Sequence, residues 1–256
     1  MNFLDKIVEE KKRNLRQNFF FTKNAPEKKP AMTFKEALRK EGPSIIAEFK
    51  RQSPSKGSIC ISAKPKTYAN IYEISGADAI SVLTEESFFK GQKEDLQTIS
   101  AHTALPTLRK DFIIDFRQID EAKALGASAV LLIASVLKKD LKKFIDYARN
   151  IGLDPLVEIH NEEELDMALE GKAEILGINN RNLTTFEVDL SVSLQLSKKI
   201  PDKIIKVAES GIQSPEDAAL MFEAGFDAIL IGEALMKAES PAEMIQCIKK
   251  SFPGAI

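Results

Sequence analysis

The chain has 256 residues, 44% apolar and 29% charged, an ordinary globular composition long enough for one large domain with a sizeable core. A formal net charge of −2 gives no overall basic field, which argues against nucleic acid or an anionic membrane as partners and makes any anion site a local one. Cys60 and Cys247 stand far apart with no C-x-x-C spacing and His102 and His160 are not near them, so no metal site is expected and the unpaired thiols suit a reducing cytoplasm.

The opening segment, MNFLDKIVEEKKRNL, lacks the apolar run of roughly 7–15 residues that a secretory signal needs. It reads as a charge-rich helix over about 2–18, more in keeping with a solvated docking helix than with a partner-binding one. A Pro/Lys stretch, NAPEKKP at 24–30, and a second short helix at about 33–40 follow. Both helices precede the first strand, and either cap the bottom of the fold or overhang its site. No apolar segment approaches the roughly 18 residues of a membrane span.

From residue 44 onward, short β-branched runs alternate with helical patterns. Eight strands are predicted, at 44–49, 78–83, 105–109, 128–134, 155–159, 174–178, 203–208 and 227–231. Between them lie amphipathic stretches such as 137–151, where Leu137, Leu141, Phe144, Ile145, Ala148 and Ile151 mark one helical stripe. Alternating strand and helix implies parallel strands with helical crossovers. GADAISVL, GASAVLLI and GFDAILIG, with GKAEILGI as a looser copy, recur on every second strand, as a duplicated half-barrel would leave them. The expected fold is therefore α/β, a (β/α)8 TIM barrel over 44–256 as a single catalytic domain, preceded by an N-terminal helical extension over 1–43. An open doubly wound sheet would reverse its strand order and open on a Gly-rich turn, and neither is visible.

In such a barrel, function gathers at the C-terminal ends of the strands. Glu48 and Lys50 follow the first strand and are two apart, so both leave one face if the segment is extended. Alone, that pair reads as a salt bridge at a solvated strand end. The other seven ends are polar as well. Thr84, Glu85 and Glu86 follow the second, Lys110 and Asp111 the third, Ser135 the fourth, and Glu158 with His160 the fifth. Asn179 with Arg181, Glu209 with Ser210 and Gly211, and Gly232 with Glu233 complete the ring. Glu158 is a carboxylate inside an apolar run. Gly211 and Gly232 at the last two strand tips suit backbone N–H groups approaching a phosphate, with tight turns needing positive φ as the alternative. Ser214, Pro215, Glu216 and Asp217 read as a capped helix start behind Gly211. The residues alone leave other readings open: a sugar-phosphate isomerase, a Schiff-base aldolase using Lys110 or Lys206, or a non-catalytic barrel.

AEFKRQSPSKG, TEESFFKG, LRKDFIID, LVEIHNEEEL, GINNRNLTTFEVD, VAESGI and LIGEALM, in this order and spacing, resemble the indole-3-glycerol-phosphate synthase family over nearly the whole chain. The resemblance implies a (β/α)8 lyase of tryptophan biosynthesis that needs neither cofactor nor metal. It would convert 1-(2-carboxyphenylamino)-1-deoxyribulose 5-phosphate to indole-3-glycerol phosphate, releasing carbon dioxide and water. It implies Lys110 as the first acid, with Asn179 beside the catalytic set. The sequence leaves the division among Glu158, Glu48 and Lys50 open, and the order adopted puts Glu158 next in proton transfer and Glu48 with Lys50 in dehydration and carboxylate orientation. Arg181, Ser210, Phe89 and Ser53 would bind substrate, and Gly211, Gly232 and the Glu233 backbone would cradle phosphate, the Glu233 side chain turning away. Converging cations, Lys50, Lys110 and Arg181, would lower the lysine pKa values while Glu48 and Glu158 would raise them, and the sequence leaves that balance open. The 51–60 loop is expected to act as a lid, Cys60 to be a buried small apolar residue rather than a nucleophile, and the protein to be a cytoplasmic monomer.

Overall fold

The computed structural model describes residues 3–17, 30–54 and 57–251. Residues 24–29 of the Pro/Lys stretch, and Ser55 and Lys56 of the 51–60 loop, lie outside that range. The strands are β1 (Ser44–Phe49), β2 (Gln52–Ser53), β3 (Gly57–Ser58), β4 (Ala79–Leu83), β5 (Thr107–Lys110), β6 (Ala129–Ile133), β7 (Asp154–Ile159), β8 (Ile175–Asn179), β9 (Ile205–Glu209) and β10 (Ala228–Ile231). The helices are α1 (Phe3–Gln17), α2 (Phe34–Leu38), α3 (Pro65–Ile74), α4 (Lys93–His102), α5 (Phe116–Ala124), α6 (Ala134–Leu137), α7 (Leu141–Asn150), α8 (Glu162–Glu170), α9 (Ser191–Leu196), α10 (Pro215–Glu223), α11 (Glu233–Lys237) and α12 (Pro241–Lys250).

Eight of these strands close a barrel in the order β1-β10-β9-β8-β7-β6-β5-β4, with β4 returning to β1. Every pairing in it is parallel. Short, right-sized crossovers through helices are what parallel neighbours demand. The predicted strands agree with those observed to within one or two residues. The predicted helix over 137–151 does not run unbroken: Lys138, at φ 49°, ends α6, and a 3-10 turn over Lys138–Asp140 redirects the chain into α7. The stripe of Leu141, Phe144, Ile145 and Ala148 is nevertheless buried as its spacing requires. Behind Gly211, Ser214 and Asp217 form the expected reciprocal cap, with Pro215 opening α10.

Alternation along each strand divides the core in two. On β1, Ile45, Ala47 and Phe49 pack against the helical layer. Ile46 faces the barrel interior with Ala79, Leu108, Leu131, Leu156, Val207 and Leu230 from other strands. By the same parity Glu48 and Lys50 continue the interior face of β1, Lys110 that of β5, Glu158 that of β7, Asn179 that of β8 and Glu209 that of β9. The barrel is thus apolar below and ionised at its upper rim.

The two N-terminal helices take opposite ends. Phe34 and Leu38 of α2 join the interior cluster, while the Lys35 backbone N–H donates to Asp154 at 2.9 Å and Lys35 Nζ pairs with Glu174 at 2.5 Å, both at strand starts. This closes the bottom. α1 overhangs the top, where Phe3, Leu4 and Ile7 line the central cavity and Lys11 Nζ pairs with buried Asp111 at 2.7 Å. An apolar face on the cavity distinguishes α1 from a solvated docking helix.

Arg109 points outward from β5 and is 1% exposed. Its guanidinium meets Asp111 at 3.1 Å, Glu121 at 2.8 Å and the carbonyl of Gln118 at 2.7 Å, tying the rim of β5 to α5. Substituting Arg109→Leu leaves Asp111 and Glu121 buried with one cation each, and is expected to cost about 3–5 kcal/mol in denaturant unfolding.

Candidate active site

A cavity of about 530 Å³ opens at the C-terminal ends of the barrel strands, a volume that suits a small-molecule ligand. Glu48, Lys50, Ser53, Phe89, Lys110, Glu158, Asn179, Arg181, Ser210, Gly211, Gly232 and Glu233 all line it. The sequence-predicted residues therefore converge on one place. Apolar side chains from the barrel floor, Leu131, Ile133 and Leu230, and from α1 above complete a wall able to hold a flat ring.

Lys110 is the centre of the charged rim. Its Nζ donates to Glu158 Oε2 and to Glu209 Oε2, each at 2.9 Å. Burial alone would lower its pKa, but the facing carboxylates of Glu158, Glu209 and Glu48, in that order, outweigh burial and raise it above the ordinary lysine range. The balance left open by the sequence falls to the carboxylates, and the ammonium is held protonated. That is a proton donor rather than a free amine, and it is poorly suited to Schiff-base chemistry. Lys206 is no alternative: its ammonium faces Asp202 at 3.9 Å and it is absent from the cavity wall.

The two carboxylates on Lys110 differ. Burial would raise Glu158, yet Lys110 and His160 on its two sides pull it well below the usual carboxylate range. Burial raises Glu209 to about 7, Lys110 opposing and Glu158 and Glu48 adding to the rise. The asymmetry has a geometric source. Glu158 has a second cation, His160, at 3.4 Å, whereas Glu209 Oε1 has no hydrogen-bond partner among the described residues. Glu209 is the functional candidate that sequence reasoning passed over, although it follows the apolar Val207 and Ala208 much as Glu158 follows Leu156 and Val157.

Across the rim, Lys50 Nζ pairs with Glu48 Oε1 at 2.5 Å, so the strand-end salt bridge expected of E-x-K is present and lies inside the cavity. Two glycines make room for the carboxylates. A Cβ on Gly177 of β8 would collide with Glu209 Oε1, and one on Gly232 would collide with Glu48 Oε1. Gly232 has φ −128°, so it is not glycine for the sake of a left-handed turn. Gly211 is, at φ 85°, following Ser210 at φ 64°.

That turn is held by Asn180, whose amide donates to the carbonyls of Glu209 at 3.1 Å and Ser210 at 3.0 Å. Glu233 turns its carboxylate to Lys237 Nζ at 2.7 Å, within α11, at the cavity wall. Ser53 Oγ is buried in the cavity wall, beyond β1 and so next to β10, without a hydrogen-bond partner among the described residues. Its loop folds as the β2–β3 hairpin, anchored by Arg51 on Asp95 of α4. Cys60 beyond it is half-buried against Tyr68. The TEESFF turn is set by Glu85, whose carboxylate accepts from the N–H groups of Ser87, Phe88 and Phe89 and so turns Phe89 to the cavity. Phe186, at φ 62°, places its ring 4.8 Å from that of Phe3, and its carbonyl accepts from Arg181 Nη1 at 3.1 Å. Among the described residues no cluster of His, Cys, Asp and Glu suits a metal ion, and no helix is long and apolar enough to cross a membrane.

The fold and the cavity define a (β/α)8-barrel enzyme with its site at the C-terminal rim. A family model described as "Indole-3-glycerol phosphate synthase" matches residues 4–248, and the chain belongs to the indole-3-glycerol phosphate synthase family. A curated relative of that name from Thermoanaerobacter pseudethanolicus is 47% identical over 221 residues, covering 86% of this chain and 85% of its own. Another from Endomicrobium trichonymphae is 46% identical, covering 96% of this chain and 99% of its own. Among solved structures, a thiamine phosphate pyrophosphorylase from Pyrococcus furiosus superposes with a TM-score of 0.62 at 20% identity, over 84% of this chain and 96% of that one, a likeness of fold alone.

Gly177→Ala tests the packing behind Lys110 without removing a charge. The added methyl must displace the Glu209 carboxylate, and turnover is expected to fall about 100-fold in steady-state kinetics with the circular dichroism spectrum unchanged.

Proposed function

We propose that this barrel closes and aromatises an indole ring, as a carboxy-lyase of tryptophan biosynthesis. It converts 1-(2-carboxyphenylamino)-1-deoxyribulose 5-phosphate to indole-3-glycerol phosphate with loss of carbon dioxide and water. The observation that carries this reading is the Lys110 ammonium, held between two carboxylates inside a cavity with an apolar wall on one side and the Gly211 and Gly232 turns on the other.

The chemistry needs an acid first. As the carboxylate-bearing ring carbon attacks the ketone, the oxygen takes a proton, and Lys110 is the donor. Loss of carbon dioxide then restores the aromatic ring, leaving a hydroxyl on the new five-membered ring. Dehydration removes that hydroxyl as water and takes a proton from the neighbouring ring carbon. Glu158, kept ionised, serves as the base, while Lys50 beside Glu48 orients the departing carboxylate and assists the hydroxyl's departure, with Asn179 among them. Glu209, poised near neutrality and hydrogen-bonded to Lys110, returns the proton Lys110 has spent. Arg181, Ser210 and Phe89 orient the substrate, and Ser53, Gly211, Gly232 and the Glu233 backbone receive its phosphate. The same reading places the protein in the cytoplasm as a monomer acting on a soluble phosphorylated substrate.

Supplying the carboxyphenylamino deoxyribulose phosphate and following indole fluorescence tests the assignment. Wild-type protein should produce the signal, and Lys110→Met should lower turnover by at least about 100-fold while remaining folded. No product from folded wild-type protein would sink the reading.

A further inference from the structure

Beside the cavity, and outside its wall, stands a side chain that the proposed chemistry has not yet used. His160 lies one residue beyond the end of β7, and its side chain is 14% exposed. Nδ1 is 2.9 Å from Glu164 Oε2, on the first turn of α8. Nε2 is 3.4 Å from Glu158 Oε1, the oxygen that Lys110 does not touch, an ion-pair approach without a formed hydrogen bond among the described residues. Glu164 is itself fixed: Oε1 accepts from Asn161 Nδ2 at 3.0 Å, and Oε2 also accepts from the His160 backbone N–H at 2.9 Å. The result is one line of alternating charge, Glu164, His160, Glu158, Lys110, Glu209, running from a helix N-terminus into the middle of the barrel.

We propose that His160 is a positioning residue: clamped by Glu164, it keeps a positive charge beside the outer oxygen of Glu158, so that this carboxylate stays ionised and meets the substrate as a base. The inference rests on the assignment of Glu158 as proton acceptor and adds what keeps it so. Lys110 occupies only one oxygen of Glu158 and loses its proton in the first step. A cation is then still needed beside Glu158, or the carboxylate would take up a proton from its surroundings and be useless for dehydration. His160 supplies it from a place the reaction does not consume.

The charge on the ring follows from its neighbours. Burial would lower the imidazole, but Glu158 and Glu164, one at each nitrogen, raise it to about 10. Of the elements packed around β7, β6, β8 and α6 carry no charged side chain, α8 adds only acidic ones, and the cations of α7 are turned to other partners, Lys142 to Asp146, Lys143 to Asp140 and Arg149 to Glu174. Nothing there opposes the two glutamates.

His160→Asn keeps a neutral donor and removes the charge. The Glu158 pKa should then rise, so the acid limb of the kcat profile should move up by about one pH unit, with KM little changed. Glu164→Gln leaves the ring with one anion in place of two, so the imidazolium is lost at lower pH and the alkaline limb of kcat should move inward. An independent readout is the 15N spectrum of histidine-labelled protein, with the His160 ring assigned by its absence in His160→Asn. That ring should be doubly protonated at about pH 8.5 in wild type and titrate lower in Glu164→Gln. Superimposable pH profiles for the three proteins, or a neutral His160 ring at neutral pH, would overturn the proposal. Glu158→Gln separates the levels: wild-type turnover in that variant would overturn the assignment of the base itself, whereas an inactive Glu158→Gln with unaltered His160→Asn and Glu164→Gln profiles would overturn only the role of His160.

Discussion

An ammonium group in the mouth of a closed barrel is expensive to bury, and three glutamates from other strands make it stable there. Glu158 and Glu209 contact Lys110 directly, and Glu48 acts on it across the rim. Each comes from a different strand, so the cluster exists only when the barrel is closed and in register. Register matters because side chains alternate: a slip of one residue on β5 would turn Lys110 to the helical layer and Arg109 into the cavity. Arg109 and Asp111, on the outward parity, are occupied by α5 and α1, and this second ion network holds the first in place. Ion pairs of this kind contribute little net stability, because desolvation offsets their attraction. Their product is a fixed protonation state.

Packing around that cluster explains residues whose function is otherwise obscure. Gly177 and Gly232 leave the space that two carboxylates fill, so glycine here serves charge placement as much as backbone freedom. The apolar floor beneath the rim lowers the local dielectric, which is what allows two glutamates on one lysine to differ so widely in proton affinity. Helix α1 adds an apolar roof, latched by Lys11 to the residue that follows Lys110 in the chain.

Much of this was legible in the sequence because it depends on local periodicity. Alternating β-branched runs and amphipathic stretches place the eight strands to within a residue or two, and the polar residue at each strand end marks the rim. What remained hidden depends on which side chains face one another across the barrel. Glu209 sits in a motif as suggestive as that of Glu158, but only the closed structure shows it sharing Lys110. His160 looked like one more polar tip until Glu164, four residues on, was seen to grip it. The pKa balance at Lys110 could not be settled by counting nearby charges, since Lys50 is engaged with Glu48 and the carboxylates alone remain to act on Lys110. The split between α6 and α7 rests on a left-handed lysine, which no propensity rule would have placed.

The central claim is that Lys110 enters the reaction as a held ammonium, with Glu209 as its proton source. Titration of the Lys110 Nζ resonance in 15N-lysine-labelled protein, assigned by its loss in Lys110→Met, addresses this directly. The account predicts an ammonium that persists past about pH 10.4, the value for a free lysine, and whose shift responds near neutral pH as Glu209 ionises. Deprotonation of Lys110 well below that value would contradict it.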